Sequence, residues 1–149
     1  MNVLIVEDDV LLGLLLAEAL IEAGHHVLGP ALSRAQALGL MANVLPDIAL
    51  VDIDLQGSES GIHVAGDLAQ RGVPCVFVTG QSNRARSERA HAIGLIAKPY
   101  SPMMVVEALR FLDACRTGQR PARLPPGFEL FTDPARGALA IESALMLAS

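Results

Sequence analysis

Residues 48–54, Ile-Ala-Leu-Val-Asp-Ile-Asp, decide the fold. Four apolar residues in a row, Ile48 to Val51, read as a strand buried on both faces, and the run ends abruptly in an acid, Asp52. The same pattern recurs on either side. Val3 to Val6 is a second short apolar run, ending in Glu7, Asp8 and Asp9. Pro74 introduces Cys75 to Val78, which ends at Thr79-Gly80, and Gly94 to Ala97 ends at Lys98-Pro99. His26 to Gly29 is a weaker strand, stopped by Pro30.

Helical patterns fill the intervals. Val10 to Ala23 repeats apolar residues at helical spacing before Gly24, and Ser33 with Gln36 reads as a capping box opening a helix to about Asn43. After a loop at Gln56 to Gly61 comes a helix from about Ile62 to Gln70. Ser82 to Ala92 reads as a polar, exposed helix, and Ser101 or Pro102 starts an amphipathic one ending near Arg116. Five β-α units in series predict an α/β fold, a parallel sheet with helices on both faces.

The chain has 149 residues, about one domain, and 52% apolar residues give it ample material for a core. A formal charge of -5 offers no general attraction to nucleic acid. The opening MNVLIV is too quickly followed by acids for a secretory signal, and the longest apolar stretch falls short of a membrane span. Cys75 and Cys115 match no metal spacing and no disulfide framework. A soluble, cytoplasmic protein with reduced thiols is expected. Of eleven basic residues, Lys98 is the single lysine; where arginine serves every other position, a retained lysine suggests a need for its compact charge.

In a sheet of this kind ligands bind beyond the carboxyl ends of the strands. One edge therefore gathers Glu7, Asp8, Asp9, Asp52, Asp54, Thr79 and Lys98. Crowded carboxylates repel unless a cation joins them, and oxygen donors suit magnesium. A carboxylate can also attack phosphorus to form an acyl phosphate. Magnesium, the Thr79 hydroxyl and the Lys98 ammonium would then neutralise the phosphoryl oxygens.

VLIVEDD, IALVDIDL, VFVTG and IAKPY resemble, in order and spacing, the signature blocks of the receiver domain of bacterial two-component response regulators. The resemblance covers roughly residues 1–118 and implies a flavodoxin-like five-stranded sheet in the order 2-1-3-4-5. It implies Asp52 as phosphoacceptor, with Asp8 and Asp52 as side-chain ligands of Mg2+, Glu7 acting largely through water, and Asp54 lending its backbone carbonyl. Thr79 and Lys98 would be the switch hydroxyl and the phosphate-binding lysine, and the Lys98-Pro99 bond would be cis. PCVFVTG further resembles an alphaproteobacterial subgroup in which a tyrosine usually follows Thr-Gly; here Gln81 stands there. Leu95 stands where many receivers carry an aromatic residue, which implies that activation travels by other movements of the fourth helix and fifth strand.

Each signal has a plainer meaning when taken alone. Acids after a strand often complement a helix dipole, and Thr-Gly is ordinary turn chemistry. His25 and His26 at a helix end read as solvated, and His63 and His91 have no partner at metal-ligand spacing. Asp52-Ile53-Asp54 also fits the DxD motif of haloacid-dehalogenase-type phosphatases, but there the motif lies on the first strand. A phosphate-independent interaction platform is the remaining alternative. Gln81, two residues past Thr79, is placed to tune hydrolysis of an acyl phosphate.

The leading expectation is a signalling switch, not a metabolic enzyme, that takes its phosphoryl group from a sensor histidine kinase or a histidine phosphotransfer protein. Residues 119–149 are Pro-rich and then apolar from Ala138 to Ala148, enough for a short helix but not for an output domain. Output is expected through a downstream protein, or a homodimer, at the fourth helix, fifth strand and fifth helix, with no DNA binding. The tail either frays or contacts the domain or a partner through Leu139, Ile141, Leu145 and Met146.

Overall fold

Short apolar strands that need both faces covered take helices on either side. The computed structural model, which describes residues 1–55 and 60–131, is built this way. The elements are β1 (Asn2–Val6), α1 (Val10–Glu22), β2 (His26–Ala31), α2 (Arg34–Leu40), β3 (Ile48–Val51), α3 (Gly61–Gln70), β4 (Cys75–Thr79), α4 (Ser82–Ser87), β5 (Gly94–Ala97), α5 (Pro102–Arg116) and β6 (Phe128–Leu130), with a 3-10 turn at Arg89–His91 after α4. The sheet order is β2-β1-β3-β4-β5-β6. The first five strands pair in parallel, in the expected order, and β6 lies antiparallel on β5.

Successive strand residues point to opposite faces and so divide the core in two. Val3, Ile5, Leu50, Val76, Val78 and Ile96 pack with Leu16 and Leu20 of α1 and with Val105, Leu109 and Leu112 of α5. Leu4, Val6, Val51, Phe77 and Leu95 pack with Ala37 of α2, Val64 and Leu68 of α3 and Ala85 of α4. α1 is apolar almost all round, so the sheet covers only one face of it and Leu11, Leu14 and Leu15 remain exposed.

Four elements differ from the sequence expectation. β2 runs through Pro30 to Ala31; as an outer strand it tolerates a residue with no N–H, and the β1–β2 register shifts between Leu4 and Val6. At α2, Ser33 caps as expected by accepting from Gln36 N–H, but the Gln36 side chain accepts from Leu32 N–H, one residue earlier than in a capping box. α4 stops at Ser87 because Ala85 is its one buried residue, too small an anchor for a longer helix. The fourth difference is β6, which lies in the stretch expected to be tail. Most of the Gln56–Gly61 loop, and the expected helix with Leu139, Ile141, Leu145 and Met146, lie outside the described residues.

No helix among the described residues is long and apolar enough to cross a membrane. Cys75 in β4 is buried, and Cys115 in α5 is half-buried.

Candidate functional site

The carboxyl ends of β1, β3, β4 and β5 meet at one edge, and their register decides what meets there. Val6 is level with Val51, and Thr79 with Ala97, so Glu7, Asp52, Thr79 and Lys98 emerge side by side. Backbone bonds fix the strand exits: Asp52 N–H donates to Val6 O at 2.9 Å, and Lys98 N–H to Thr79 O at 2.9 Å. Behind Asp52, Gly61 opens α3 at such close range that a Cβ there would lie 1.8 Å from the Asp52 carbonyl oxygen. Only glycine lets the helix start against the strand end.

Oxygens of Glu7, Asp8 and Asp52 lie within 4.8 Å of one another. Glu7 and Asp52 are 4% and 3% exposed, a costly setting for carboxylates without a cation. Lys98 supplies one: its Nζ donates to Glu7 Oε2 and to Asp52 Oδ2, each at 2.9 Å. Burial raises the Glu7 carboxyl above its usual value; the hydrogen bond from Lys98 opposes the rise, and the charge of Asp52 adds to it. Burial works against the Lys98 ammonium, but its bonds to Asp52 and Glu7 outweigh that and lift it to about 12. One ammonium between two carboxylates leaves the cluster with unbalanced negative charge, and hard oxygen donors of this kind suit a small divalent cation. The donor set therefore fits magnesium.

The remaining expected residues have distinct places. Asp54 N–H donates to Asp52 Oδ1 at 3.0 Å, while the Asp54 carboxylate accepts from the Gln81 side-chain amide and so is not part of the three-carboxylate cluster. Thr79 is fully buried, and its Oγ1 accepts from Gln81 N–H at 3.0 Å. Asp9 caps α1 by accepting from Leu12 N–H, and its own N–H donates to Glu7 Oε1 at 3.1 Å. The Lys98-Pro99 bond is cis, as the resemblance implied, and so is Gly29-Pro30. His63 caps α3, its Nδ1 accepting from Ser60 N–H.

Tyr100 was given no role by the sequence reading. Its hydroxyl is buried with no hydrogen-bond partner among the described residues, beside a cavity of about 370 Å³ lined by Leu12, Lys98, Pro99 and Tyr100. Burial, then the charge of Glu7, pushes it up to about 12. Its place in IAKPY, two residues past the lysine, was the available signal.

Residues 3–110 match the family model of the response regulator receiver domain. The chain belongs to the receiver family. Among similar proteins, the phyllosphere-induced regulator PhyR of Methylorubrum extorquens is 35% identical over 123 residues, 77% of this chain and 46% of PhyR. The chemotaxis protein CheY of Thermotoga maritima is 29% identical, over 72% of this chain and 93% of CheY. The solution structure of the PhyR receiver domain of Erythrobacter litoralis superposes with a TM-score of 0.67 at 31% identity, covering 83% of this chain and 95% of that one. This receiver thus spans about half the length of PhyR. The phosphatase reading of Asp52 and Asp54 gains no support from these relatives.

Proposed function

We propose that this receiver is a phosphorylation-controlled signalling switch whose phosphoacceptor is Asp52. The observation that carries the reading is the position of the Asp52 carboxylate: 3% exposed, at the carboxyl edge of the sheet, and hydrogen-bonded to the single lysine of the chain. A carboxylate oxygen of Asp52 attacks the phosphorus of a phosphohistidine on a sensor histidine kinase or a phosphotransfer protein. The new O–P bond forms as the N–P bond breaks, and the electron pair returns to the imidazole. Lys98 moves its charge from the carboxylates to a phosphoryl oxygen, and the Thr79 hydroxyl donates to another. Glu7, Asp8, Asp52 and the Asp54 backbone carbonyl would hold Mg2+. When bound, the ion offsets the negative charge that carboxylates and phosphate bring to one place.

Gln81 lies next to the acceptor through its bond to Asp54, where it can orient the water that hydrolyses the acyl phosphate and returns the switch to rest. Beyond phosphotransfer and its own dephosphorylation we assign the chain no enzymatic turnover. The exposed leucines of α1, the helix that follows Glu7 and Asp8, favour a phosphodonor with an apolar surface of its own. Residues 1–118 would form the receiver unit proper, acting in the cytoplasm through protein contact with a downstream target.

Intact-protein mass after incubation with acetyl phosphate tests this. Wild type is expected to gain one phosphoryl adduct that requires magnesium, and Asp52→Asn none. An adduct that survives in Asp52→Asn, or none in wild type under any condition, would overturn the assignment.

A further inference from the structure

Without β6, β5 would be the edge of the sheet, with a row of unpaired backbone groups open to any extended chain. The chain covers that edge itself, with a segment of three residues at the end of a tether holding Pro121, Pro125 and Pro126. The groove is shaped for it. A Cβ on Gly94 would lie 2.5 Å from the Phe128 ring and 2.6 Å from Glu129 O, so the missing side chain forms the notch that Phe128 fills. From the other side the Phe128 ring meets Phe111 of α5 edge-on, with centroids 6.2 Å apart. Phe131 N–H closes the pairing by donating to Ile93 O at 2.9 Å.

A polar contact ties this strand to α4. Arg86, near the end of α4, holds Glu129 through its Nε at 3.0 and 3.1 Å and its Nη2 at 2.8 Å. The other end of α4 belongs to the acceptor site. Gln81, its N-cap, donates from its backbone to Thr79 Oγ1 and from its side chain to Asp54, which in turn donates to Asp52 Oδ1. With Ala85 as its one buried residue, α4 is held more by these end contacts than by the core.

We propose that β6 is a latch on the β5 edge, which phosphorylation of Asp52 loosens through Gln81 and α4. The edge so uncovered accepts an extended segment carrying an aromatic residue for the Gly94 notch and an acid for Arg86. This rests on Asp52 being the phosphoacceptor. A phosphoryl group there brings negative charge against the Asp54 carboxylate and offers the Gln81 amide a stronger acceptor; the Thr79 hydroxyl turns to the same group. Both anchors of the α4 N-terminus then change partners. The Arg86–Glu129 pair is half exposed at both ends and weak for that reason, so a small shift of α4 suffices to release it. β6 has two discrete states, paired and unpaired, and it sets what a partner strand must look like.

Hydrogen exchange on the full-length chain, with and without magnesium and beryllofluoride, reads the latch. Amides of 128–131 and their β5 partners are expected to exchange about fivefold faster or more with the phosphoryl mimic, the low end of ordinary coupling between sites, while β1 and β3 stay protected. Arg86→Gln should show the faster exchange without the mimic. A synthetic peptide of residues 126–131 should bind the mimic-loaded chain more tightly than the resting one. If the same preparation takes an acetyl-phosphate adduct but its 128–131 amides do not respond, the latch is wrong and the receiver assignment stands. Unchanged exchange in Arg86→Gln, or equal peptide binding in both states, also overturns it. No adduct at all removes the receiver assignment and the trigger together.

Discussion

At Lys98 one ammonium serves two nearly buried carboxylates, and its removal shows what the site costs the fold. Lys98→Ala leaves Glu7 and Asp52 facing each other unpaired. Breaking a fully buried ion pair costs about 3–5 kcal/mol; Lys98 is a quarter exposed, so we expect about 2 kcal/mol by urea denaturation. Added magnesium should restore more stability to this variant than to wild type, because it replaces the missing positive charge. A loss smaller than the scatter of surface variants would mean that the carboxylates do not need the lysine. Lys98, Glu7, Asp8 and Asp52 were legible because each lies within two residues of a strand end, and strand ends can be read from apolar runs. The bond between Asp54 and Gln81 was not, since the aim of a side chain in a loop depends on neighbours that no local pattern specifies.

Among the elements, α2 and α3 are joined by a clip from Arg34 to Asp67, with Nε to Oδ2 at 2.6 Å and Nη2 to Oδ1 at 3.0 Å. The Arg34 hydrogen bond holds the Asp67 carboxyl below its usual range against the opposing effect of burial. A carboxyl depressed in the folded state adds stability above its unfolded pKa and loses it as pH falls through the folded one. Asp67→Asn should therefore cost about 0.5–1 kcal/mol at pH 7, the partly exposed pair being screened by solvent. The gap from wild type should close in acid, below the unfolded carboxylate's ~3.9. A gap independent of pH would make the clip a matter of shape alone. The parallel strands were legible as elements because double-sided burial writes itself as continuous apolar runs. β6 was not: three residues carry no period, and its pairing depends on the notch at Gly94, far away in sequence. A signal existed in the clustering of two of the four phenylalanines, Phe128 and Phe131, just after Gly127.

For the molecule as a whole, serial β-α units imply a parallel sheet with helices on both faces, and the strand order is what the receiver resemblance implies, whereas the closing strand is a tertiary decision. The negative net charge, with no basic run, gives the chain no general electrostatic attraction to nucleic acid. Cys75 has a consequence at this scale. Its thiol sits in the central strand β4 at 1% exposure, and burial pushes its ionisation well above the ordinary thiol range. An alkylating reagent needs the thiolate and a path to it, and the folded protein denies both. In a Cys115→Ser background, adduct formation at Cys75 should then run at the rate set by the unfolded fraction, about 10⁻³–10⁻⁶ for ordinary domains, and accelerate with urea in step with denaturation. Labelling that is fast and indifferent to urea would reveal a sheet that breathes locally. Each molecule thus carries a sulfur clock at its centre, which counts the moments when the whole sheet lies open and gives every variant above a common scale.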